Sequence, residues 1–265
     1  MKNKYTSDFL KETFSLDTKV AVIIGGGGHL CSALARGIAG AGANVSILDI
    51  RFEKAKKVFN YIQKEFPNDH LALENDATDK NSHRDCLKLI CEKYGKIDIL
   101  INGAGINSPT PFLDIEIEDW NKVINSQITA TMLGCQIFGS QMIKQKNGSI
   151  INISSASAGP PLSKAFAYSV AKAGIRNLTM NLGREWARNG VRVNCIRPGF
   201  FPTEWNLKNF ITPEREKSIL SHTPMNRFGI PKELVGATIW LSSDSSSFVT
   251  GSEVTIDGGF SCMTI

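Results

Sequence analysis

The stretch Val20-Ala21-Val22-Ile23-Ile24-Gly25-Gly26-Gly27-Gly28 decides the fold of this chain of 265 residues. Five apolar residues in a row are typical of a strand that is buried on both faces. Four glycines follow directly, and residues 32–41 then favour a helix. Glycines at the end of a strand let the backbone approach a phosphate closely, and the helix that follows offers unpaired N–H groups. A tight turn is the alternative explanation, but the position between a strand and a helix favours a dinucleotide site.

Short apolar runs alternate with helical patterns along the rest of the chain. The predicted strands are residues 20–24, 44–49, 70–75, 97–101, 149–154, 191–196 and 254–256. This alternation predicts an α/β fold, a Rossmann-type doubly wound parallel sheet of about seven strands with helices on both faces. Because no linker, repeat or low-complexity segment interrupts residues 1–265, we expect a single domain. The only long irregular stretch, residues 199–229, is predicted to be a substrate loop.

Composition excludes several classes of function. The net charge of +5 is spread along the chain, which predicts no nucleic-acid partner. No apolar run is long enough to cross a bilayer and residues 1–10 are polar, so we expect no membrane association. Six cysteines without a CxxC pair favour reduced thiols and a cytoplasmic location. Four scattered histidines give no metal-ligand spacing, so no metal site is expected.

An acidic residue follows the glycine turn at an informative distance. Asp49 ends the second predicted strand, 24 residues after Gly25. A carboxylate at this place can accept hydrogen bonds from the ribose hydroxyls of NAD and would repel the 2′-phosphate of NADP. The alternative is an acid that merely stabilises the first turn of the next helix. Together with the glycines, Asp49 favours an NAD site.

Three further residues indicate acid–base chemistry. Tyr168 and Lys172 are four residues apart, so they share one face of a helix, and the ammonium would lower the pKa of the phenol. Ser155 follows the fifth predicted strand, where it could polarise a substrate carbonyl. Each signal alone is weak, because two helix-surface residues and a turn serine explain them equally well.

Taken together, these residues resemble the short-chain dehydrogenase/reductase family over nearly the whole chain, from about Phe14 to Ile265. The residues that carry the resemblance are the glycine turn, Asp49, Asn102-Gly103-Ala104-Gly105, Ser155, Tyr168 with Lys172, Arg192-Val193-Asn194, Pro198-Gly199, Phe248-Val249-Thr250-Gly251 and Asp257-Gly258-Gly259. The joint match is highly specific, although each piece is not.

The resemblance implies an NAD(P)-dependent oxidoreductase that acts on CH–OH groups. Tyr168 is then the acid/base, Lys172 lowers its pKa and holds the nicotinamide ribose, and Ser155 orients the substrate carbonyl. The implied coenzyme is NAD, with NADP as the alternative, and the family usually forms homo-tetramers or homo-dimers. The implied coenzyme-binding residues are Gly25, Gly28, His29, Leu30, Asp49, Ile50, Asp76, Ala77, Asn102, Ala104, Tyr168, Lys172, Pro198, Gly199, Phe201 and Thr203.

The chain departs from the family pattern at three places. His29 and Cys31 stand where the turn Thr-Gly-x-x-x-Gly-x-Gly has glycines, and Gly103 replaces the second asparagine of Asn-Asn-Ala-Gly. Gln127 replaces a helix asparagine that arranges a water beside the lysine. We expect Gln127 to serve in catalysis, because it keeps the amide group of asparagine.

Residues 199–204, 223–229 and 257–261 resemble a subgroup of D-mannonate (fructuronate) oxidoreductases and gluconate 5-dehydrogenase-like enzymes. They predict a sugar acid or a polyol as the small-molecule substrate. The predicted substrate contacts are Asn107, Ser157, Lys164 and Trp205. Two alternatives remain: a reductase of another carbonyl compound, such as a ketoacyl group or a cyclic ketone, and a cofactor-binding protein with little catalysis.

Overall fold

A parallel sheet lies at the centre of the computed structural model, which describes residues 4–209 and 211–264; the side chains of residues 4–7, 204, 205 and 209 are outside this description. Its strands are β1 (Val20–Ile24), β2 (Asn44–Asp49), β3 (Leu71–Glu74), β4 (Ile99–Asn102), β5 (Gly148–Ile153), β6 (Val191–Pro198) and β7 (Glu253–Ile256). They lie in the order β3-β2-β1-β4-β5-β6-β7, and every neighbouring pair is parallel. The predicted doubly wound parallel sheet is confirmed.

Helices cover both faces of this sheet. They are α1 (Lys4–Phe14), α2 (His29–Gly40), α3 (Phe52–Glu65), α4 (Lys80–Tyr94), α5 (Ile117–Ile124), α6 (Ala130–Gln145), α7 (Phe166–Trp186), α8 (Glu204–Asn209), α9 (Pro213–Ser221) and α10 (Val235–Ser242). A π-helical turn, Asn125–Thr129, joins α5 to α6. The core on one face contains residues of α2, α3 and α10, and the core on the other face contains residues of α4 and α6, with side chains of α7 packed against it.

Strand β1 is continuously apolar because it is covered on both faces. Ala21 and Ile23 belong to the core on one face, whereas Val20, Val22 and Ile24 belong to the core on the other. Since successive side chains point to opposite faces, apolar residues at every position of β1 contribute to one core or the other.

Two predicted boundaries are wrong in an informative way. Helix α2 begins at His29 rather than at residue 32, because Gly28 takes the extended N-cap conformation and helical residues follow at once. Residues 199–229 are not an irregular loop, since they contain α8 and α9. The hydroxyl of Thr212 caps α9 by accepting a hydrogen bond from the Arg215 N–H at 3.3 Å, and Pro213 occupies the first turn. None of the helices within the described ranges is long and apolar enough to cross a membrane.

The strand register brings the candidate residues to one edge of the sheet. Ile24 at the end of β1 lies beside Leu48 of β2 and Asn102 of β4, and Asn102 lies beside Asn152 of β5. The carboxyl ends of the strands therefore meet at one edge, which is where open α/β sheets bind ligands.

Candidate active site

The glycine turn between β1 and α2 forms a cradle that has no room for side chains. Gly25 has a left-handed backbone (φ +72°), and a Cβ there would lie 2.8 Å from the Cα of Ala104. The Gly26 N–H donates to the Leu48 carbonyl at 2.8 Å. Gly28 gives α2 no side-chain cap, so the first N–H groups of α2 are available to an anion. A dinucleotide pyrophosphate fits this cradle.

Asp49 lies against the same turn. Its Oδ2 accepts a hydrogen bond from the Gly27 N–H at 3.1 Å, and its Oδ1 accepts one from the Arg51 N–H at 3.0 Å. The side chain is largely buried, while the next residue, Ile50, is exposed. The structure thus places the Asp49 carboxylate beside the glycine turn, and its contact with the ribose hydroxyls of NAD stays a prediction. His29 is exposed in the first turn of α2, and Leu30 packs against the core.

A buried histidine, His83, supports the turn after β3, and the sequence analysis did not identify it. Asp76 Oδ1 accepts hydrogen bonds from the Thr78 N–H at 2.8 Å and the Thr78 hydroxyl at 2.7 Å. His83 is fully buried, and its Nε2 lies 3.0 Å from the Ala77 carbonyl. Burial lowers the pKa of His83, so the ring is neutral and Nε2–H can donate to Ala77. The supporting role of His83 becomes evident from the burial of its ring, which the sequence does not reveal.

Asn102 turns its side chain into the interior. Its Nδ2 donates to Asn152 Oδ1 at 2.8 Å, and Asn152 Nδ2 donates to the Thr179 hydroxyl at 3.0 Å. This chain of bonds joins the ends of β4 and β5 to α7. The Asn102 side chain therefore has a structural role, and the expectation that residues 102 and 104 line a coenzyme floor stays a prediction. Ala104 lies against the glycine turn.

Ser155 follows the end of β5, and Tyr168 lies on a helix, as predicted. Tyr168 is in the first turn of α7, and Ser155 is the N-cap of a short 3₁₀ turn, where its Oγ accepts a hydrogen bond from the Ser157 N–H at 3.2 Å. Burial raises the pKa of the Tyr168 phenol, and a hydrogen bond with Ser155 acts in the opposite direction. The pair can hold a proton beside a carbonyl or hydroxyl oxygen.

Lys172 lies one helical turn after Tyr168 and is almost completely buried. Its Nζ donates to the Ile153 carbonyl at 2.6 Å and lies 5.4 Å from the centroid of the Tyr168 ring. Burial lowers the pKa of Lys172 to about 8. In this arrangement burial of the phenol dominates the pKa of Tyr168, and the Lys172 ammonium bonds to a backbone carbonyl. The expectation that Lys172 lowers the pKa of Tyr168 stays a prediction.

We expect the substitution Lys172→Met to remove a pH-dependent part of the free energy of unfolding. The pKa of Lys172 is about 8 in the folded protein against an ordinary value of 10.5. Between these values the unfolded chain binds more protons, so the wild-type protein gains stability as the pH rises. The free energy of unfolding of the wild type, relative to that of the variant, should rise by about 2–3 kcal/mol across this window.

Urea unfolding followed by circular dichroism measures this difference. The variant Lys57→Met, which changes an exposed lysine of α3, serves as the control and should show no such trend. A stability difference between Lys172→Met and wild type that is the same at both ends of the window would contradict the assignment.

Gln127 contacts a different group from the one predicted. It lies in the π-helical turn, and its Nε2 donates to the Ile106 carbonyl at 2.8 Å. A Cβ on Gly105 would overlap the Gln127 amide. The side chain thus supports the segment that follows β4, and the π-helical turn itself packs against α7. A catalytic role of Gln127 stays a prediction.

The predicted substrate contacts are not all accessible. Asn107 is exposed, whereas Ser157 is buried, so the Ser157 hydroxyl does not line an open cleft. Lys164 is exposed and has a left-handed backbone with φ +58°. Next to it, Arg215 of α9 donates to the Ser163 hydroxyl at 3.1 Å and to the Ser163 carbonyl at 3.4 Å. Two cationic residues, Lys164 and Arg215, therefore adjoin Ser163 in the segment that joins Ser155 to α7, and the sequence analysis identified only Lys164.

A second residue that the sequence analysis missed, Arg197 of β6, supports the turn after Ser155. Its Nη2 donates to the Ala156 carbonyl at 3.2 Å, and its Nη1 forms an ion pair with Glu253 of β7 at 3.2 Å. Arginines at positions 192 and 197, within and directly after a predicted buried strand, were the signal that could have identified it.

The chain after β6 forms one wall of the site. Pro198 is buried, and a Cβ on Gly199 would lie 2.7 Å from Asp257. Phe201 is half-buried, and Asn206 Oδ1 accepts hydrogen bonds from the N–H and hydroxyl of Thr203 at 3.1 and 2.7 Å. A cavity of about 370 Å³ opens between these loops, lined in part by Phe200, Phe201, Met225 and Asp257. The side chain of Trp205 lies outside the described residues.

Comparison with known proteins agrees with this geometry. The family model described as enoyl-(acyl carrier protein) reductase matches residues 30–261. An uncharacterized oxidoreductase of Bacillus subtilis, UxuB, is 39% identical over 93% of this chain and 96% of its own length. The chain belongs to the short-chain dehydrogenases/reductases. This short-chain dehydrogenase/reductase is an oxidoreductase.

Two further relatives of this short-chain dehydrogenase/reductase have more specific names. The D-threitol dehydrogenase of Mycolicibacterium smegmatis is 30% identical over 93% of this chain and 94% of its own length. The crystal structure of a gluconate 5-dehydrogenase from Burkholderia cenocepacia, in complex with NADP and tartrate, is similar with a TM-score of 0.90. That protein is 32% identical, and the similarity covers 96% of this chain and 100% of the other.

Proposed function

We propose that this short-chain dehydrogenase/reductase uses NAD, or alternatively NADP, to interconvert a hydroxyl and a carbonyl group of a sugar acid or polyol. The observation that carries the proposal is the placement of Ser155, Tyr168 and Lys172 at the same sheet edge as the glycine cradle and Asp49. When bound, the coenzyme supplies the hydride chemistry. The cradle and Asp49 would hold its pyrophosphate and adenosine ribose, and Lys172 would lie near its other ribose.

The chain's own residues then handle the proton. Tyr168 has a raised pKa, so its phenol is protonated at neutral pH and can donate to a carbonyl oxygen during reduction. In the reverse direction the phenolate must form first. Ser155 orients the same oxygen, because its hydroxyl lies at the end of β5 beside the phenol.

Two cationic residues in the segment that joins Ser155 to α7 support an acidic substrate. Lys164 and Arg215 flank Ser163, and their charges favour a carboxylate over a neutral group. We further propose that residues 199–229 close over this substrate within one domain. The named activities of the D-threitol and gluconate 5-dehydrogenases support the same choice of substrate class.

A second candidate function has its own support. Two pairs of aromatic rings lie near the site: Phe112 with Phe166 at 5.1 Å, and Phe200 with Phe260 at 5.2 Å between ring centroids. Aromatic walls favour an apolar ketone over a charged sugar acid.

A screen of turnover decides among these functions. Aldonates, uronates, polyols and cyclic ketones would be assayed with NAD(H) and NADP(H) by coenzyme absorbance. Faster turnover of sugar acids or polyols supports the proposal, and faster turnover of apolar ketones overturns it in favour of the second candidate. Binding of coenzyme without turnover of any compound indicates a protein with little catalysis.

We expect Lys164→Met to lower kcat/KM for the best sugar acid and to leave its uncharged polyol analogue unaffected. Lys164 is exposed, so its pairing with a carboxylate is screened by water and the loss should be only about fivefold. Lys146→Met is a matched control, because Lys146 is also exposed and left-handed (φ +55°) but ends α6 before β5. Equal effects of Lys164→Met on the acid and on the polyol would contradict a carboxylate contact.

We also propose that the protein forms a homo-dimer or homo-tetramer in the cytoplasm. Exposed apolar side chains recur at helical spacing along α7, at Phe166, Val170 and Met180. Such a stripe favours burial against another chain. The cysteines are free thiols within the described part of the chain, which favours a reducing compartment.

A further inference from the structure

The backbone conformation of Gly103 does not explain why this position holds a glycine. Its φ lies outside the left-handed region, so an L residue could adopt the same conformation. A Cβ built at this position would overlap the Sγ of Cys31. The next nearest atoms, Ile153 Cγ1 at 3.5 Å and the Ile24 carbonyl oxygen at 3.6 Å, would be at ordinary contact distances. Cys31 alone therefore excludes a side chain at position 103.

The Cys31 side chain is placed to have this effect. It belongs to the first turn of α2 and is buried in the core beneath the glycine cradle. Burial raises the pKa of the Cys31 thiol to about 12, so the group is neutral at physiological pH. It fills space as a small apolar side chain and brings no negative charge to the end of α2 where a phosphate would bind.

Cys31 and Gly103 are also two of the positions at which the chain departs from the family pattern. Position 31 has gained a side chain where the pattern has glycine, and position 103 has lost one where the pattern has asparagine. The two changes lie 72 positions apart in the sequence, and in the fold the side chain gained at one occupies the space lost at the other.

We propose that Cys31 is a positioning residue of the coenzyme site, and that it acts as a pair with Gly103. The contact sets the separation between α2 and the segment Gly103-Ala104. Ala104 in turn lies against Gly25, so a displacement of residue 103 would reach the glycine cradle. The inference rests on the proposed function, because it assumes that this cradle binds the dinucleotide.

Four proteins test the pair: wild type, Gly103→Ala, Cys31→Gly and the double variant. The dissociation constant of NADH, from fluorescence titration, should rise by about tenfold in Gly103→Ala, because an overpacked contact displaces the cradle. The double variant should bind NADH within about threefold of Cys31→Gly alone, because the overlap is gone. The KM of the coenzyme should follow the dissociation constant, while kcat at saturating coenzyme changes little.

Gly105→Ala provides the control. Gly105 has φ +150° and faces Gln127, so Cys31 is not the reason that position 105 holds a glycine. Cys31→Gly should therefore not restore NADH binding to Gly105→Ala. The pairing would be overturned if the two substitutions had independent, additive effects on the dissociation constant of NADH. It would also be overturned if Gly103→Ala bound NADH as tightly as the wild type. If Gly103→Ala fails to fold, a folded double variant that binds NADH supports the pairing and an unfolded one overturns it.

Failure of the proposed function has a different signature. Wild-type protein that binds neither NADH nor NADPH would refute dinucleotide binding itself. The melting temperatures of the same four proteins would then decide the pairing, since rescue of Gly103→Ala by Cys31→Gly is expected there too.

Discussion

Replacing Tyr168 with phenylalanine should lower kcat by about 10²- to 10⁴-fold, the usual contribution of a general acid or base. The variant keeps the aromatic ring, which is half-buried at the start of α7, and loses only the hydroxyl and its hydrogen bond with Ser155. Folding and the dissociation constant of NADH should therefore stay close to those of the wild type.

The matched control is Tyr94→Phe. It also removes one phenol that makes one hydrogen bond, here to the Asp69 carbonyl at 2.8 Å, but at the far end of α4. Steady-state kinetics and thermal melting of both variants separate a chemical role from a structural one. A Tyr168→Phe enzyme with near-wild-type kcat would refute the assignment.

The raised pKa of Tyr168 also gives the direction of the pH dependence. Oxidation of an alcohol needs the phenolate, so its kcat in the wild type should increase with pH from neutral into the alkaline range. Reduction of a carbonyl needs the protonated phenol and should be fastest at the lower pH values. Tyr168→Phe should lose both dependences.

The second large effect that we expect concerns the choice of coenzyme. The kcat/KM should favour NAD(H) over NADP(H) by about 10²-fold, because placing the 2′-phosphate of NADP next to the fixed carboxylate of Asp49 costs several kcal/mol. Asp49 is held in place by the N–H groups of Gly27 and Arg51, so it cannot easily turn away. Asp49→Asn removes the charge at nearly constant size. It should lower the preference for NAD(H) in kcat/KM from about 10²-fold to about tenfold.

Glu53→Gln is the control for a general change of charge, because Glu53 is an exposed acid in the first turn of α3. Its coenzyme preference should equal that of the wild type. A wild-type enzyme that prefers NADP, or an Asp49→Asn variant with an unchanged ratio, would show that Arg51 or another group selects the coenzyme.

The features that are local in sequence were predictable. β1 and β2 have the predicted bounds, because each is a short run rich in buried apolar residues, and the turn that follows β1 needs glycine. The start of α2 was misplaced because a glycine, which has no capping side chain, serves as its N-cap. The capping signal of Thr212 and Pro213 was present in the sequence, and it would have located α9.

The features that depend on packing were not predictable. The pKa values of Tyr168 and Lys172 are set by burial, which four-residue spacing does not reveal. The inward rotation of Asn102 depends on Asn152, and the fit of Cys31 to Gly103 depends on the first turn of α2 meeting the segment after β4 at one sheet edge. Such contacts join positions 50 or more apart, so only the fold brings them together.

The bonded chain of Asn102, Asn152 and Thr179 has a consequence for engineering this enzyme. It ties the helix that carries Tyr168 to the end of β4, so a library that varies any of its three members would mostly sample misfolded or coenzyme-deficient proteins. Randomisation aimed at new substrates belongs instead in residues 106–115 and 159–165, in the segments that follow β4 and β5 at the carboxyl edge of the sheet. There a changed side chain alters the shape of the opening and leaves the tie between sheet and helix in place.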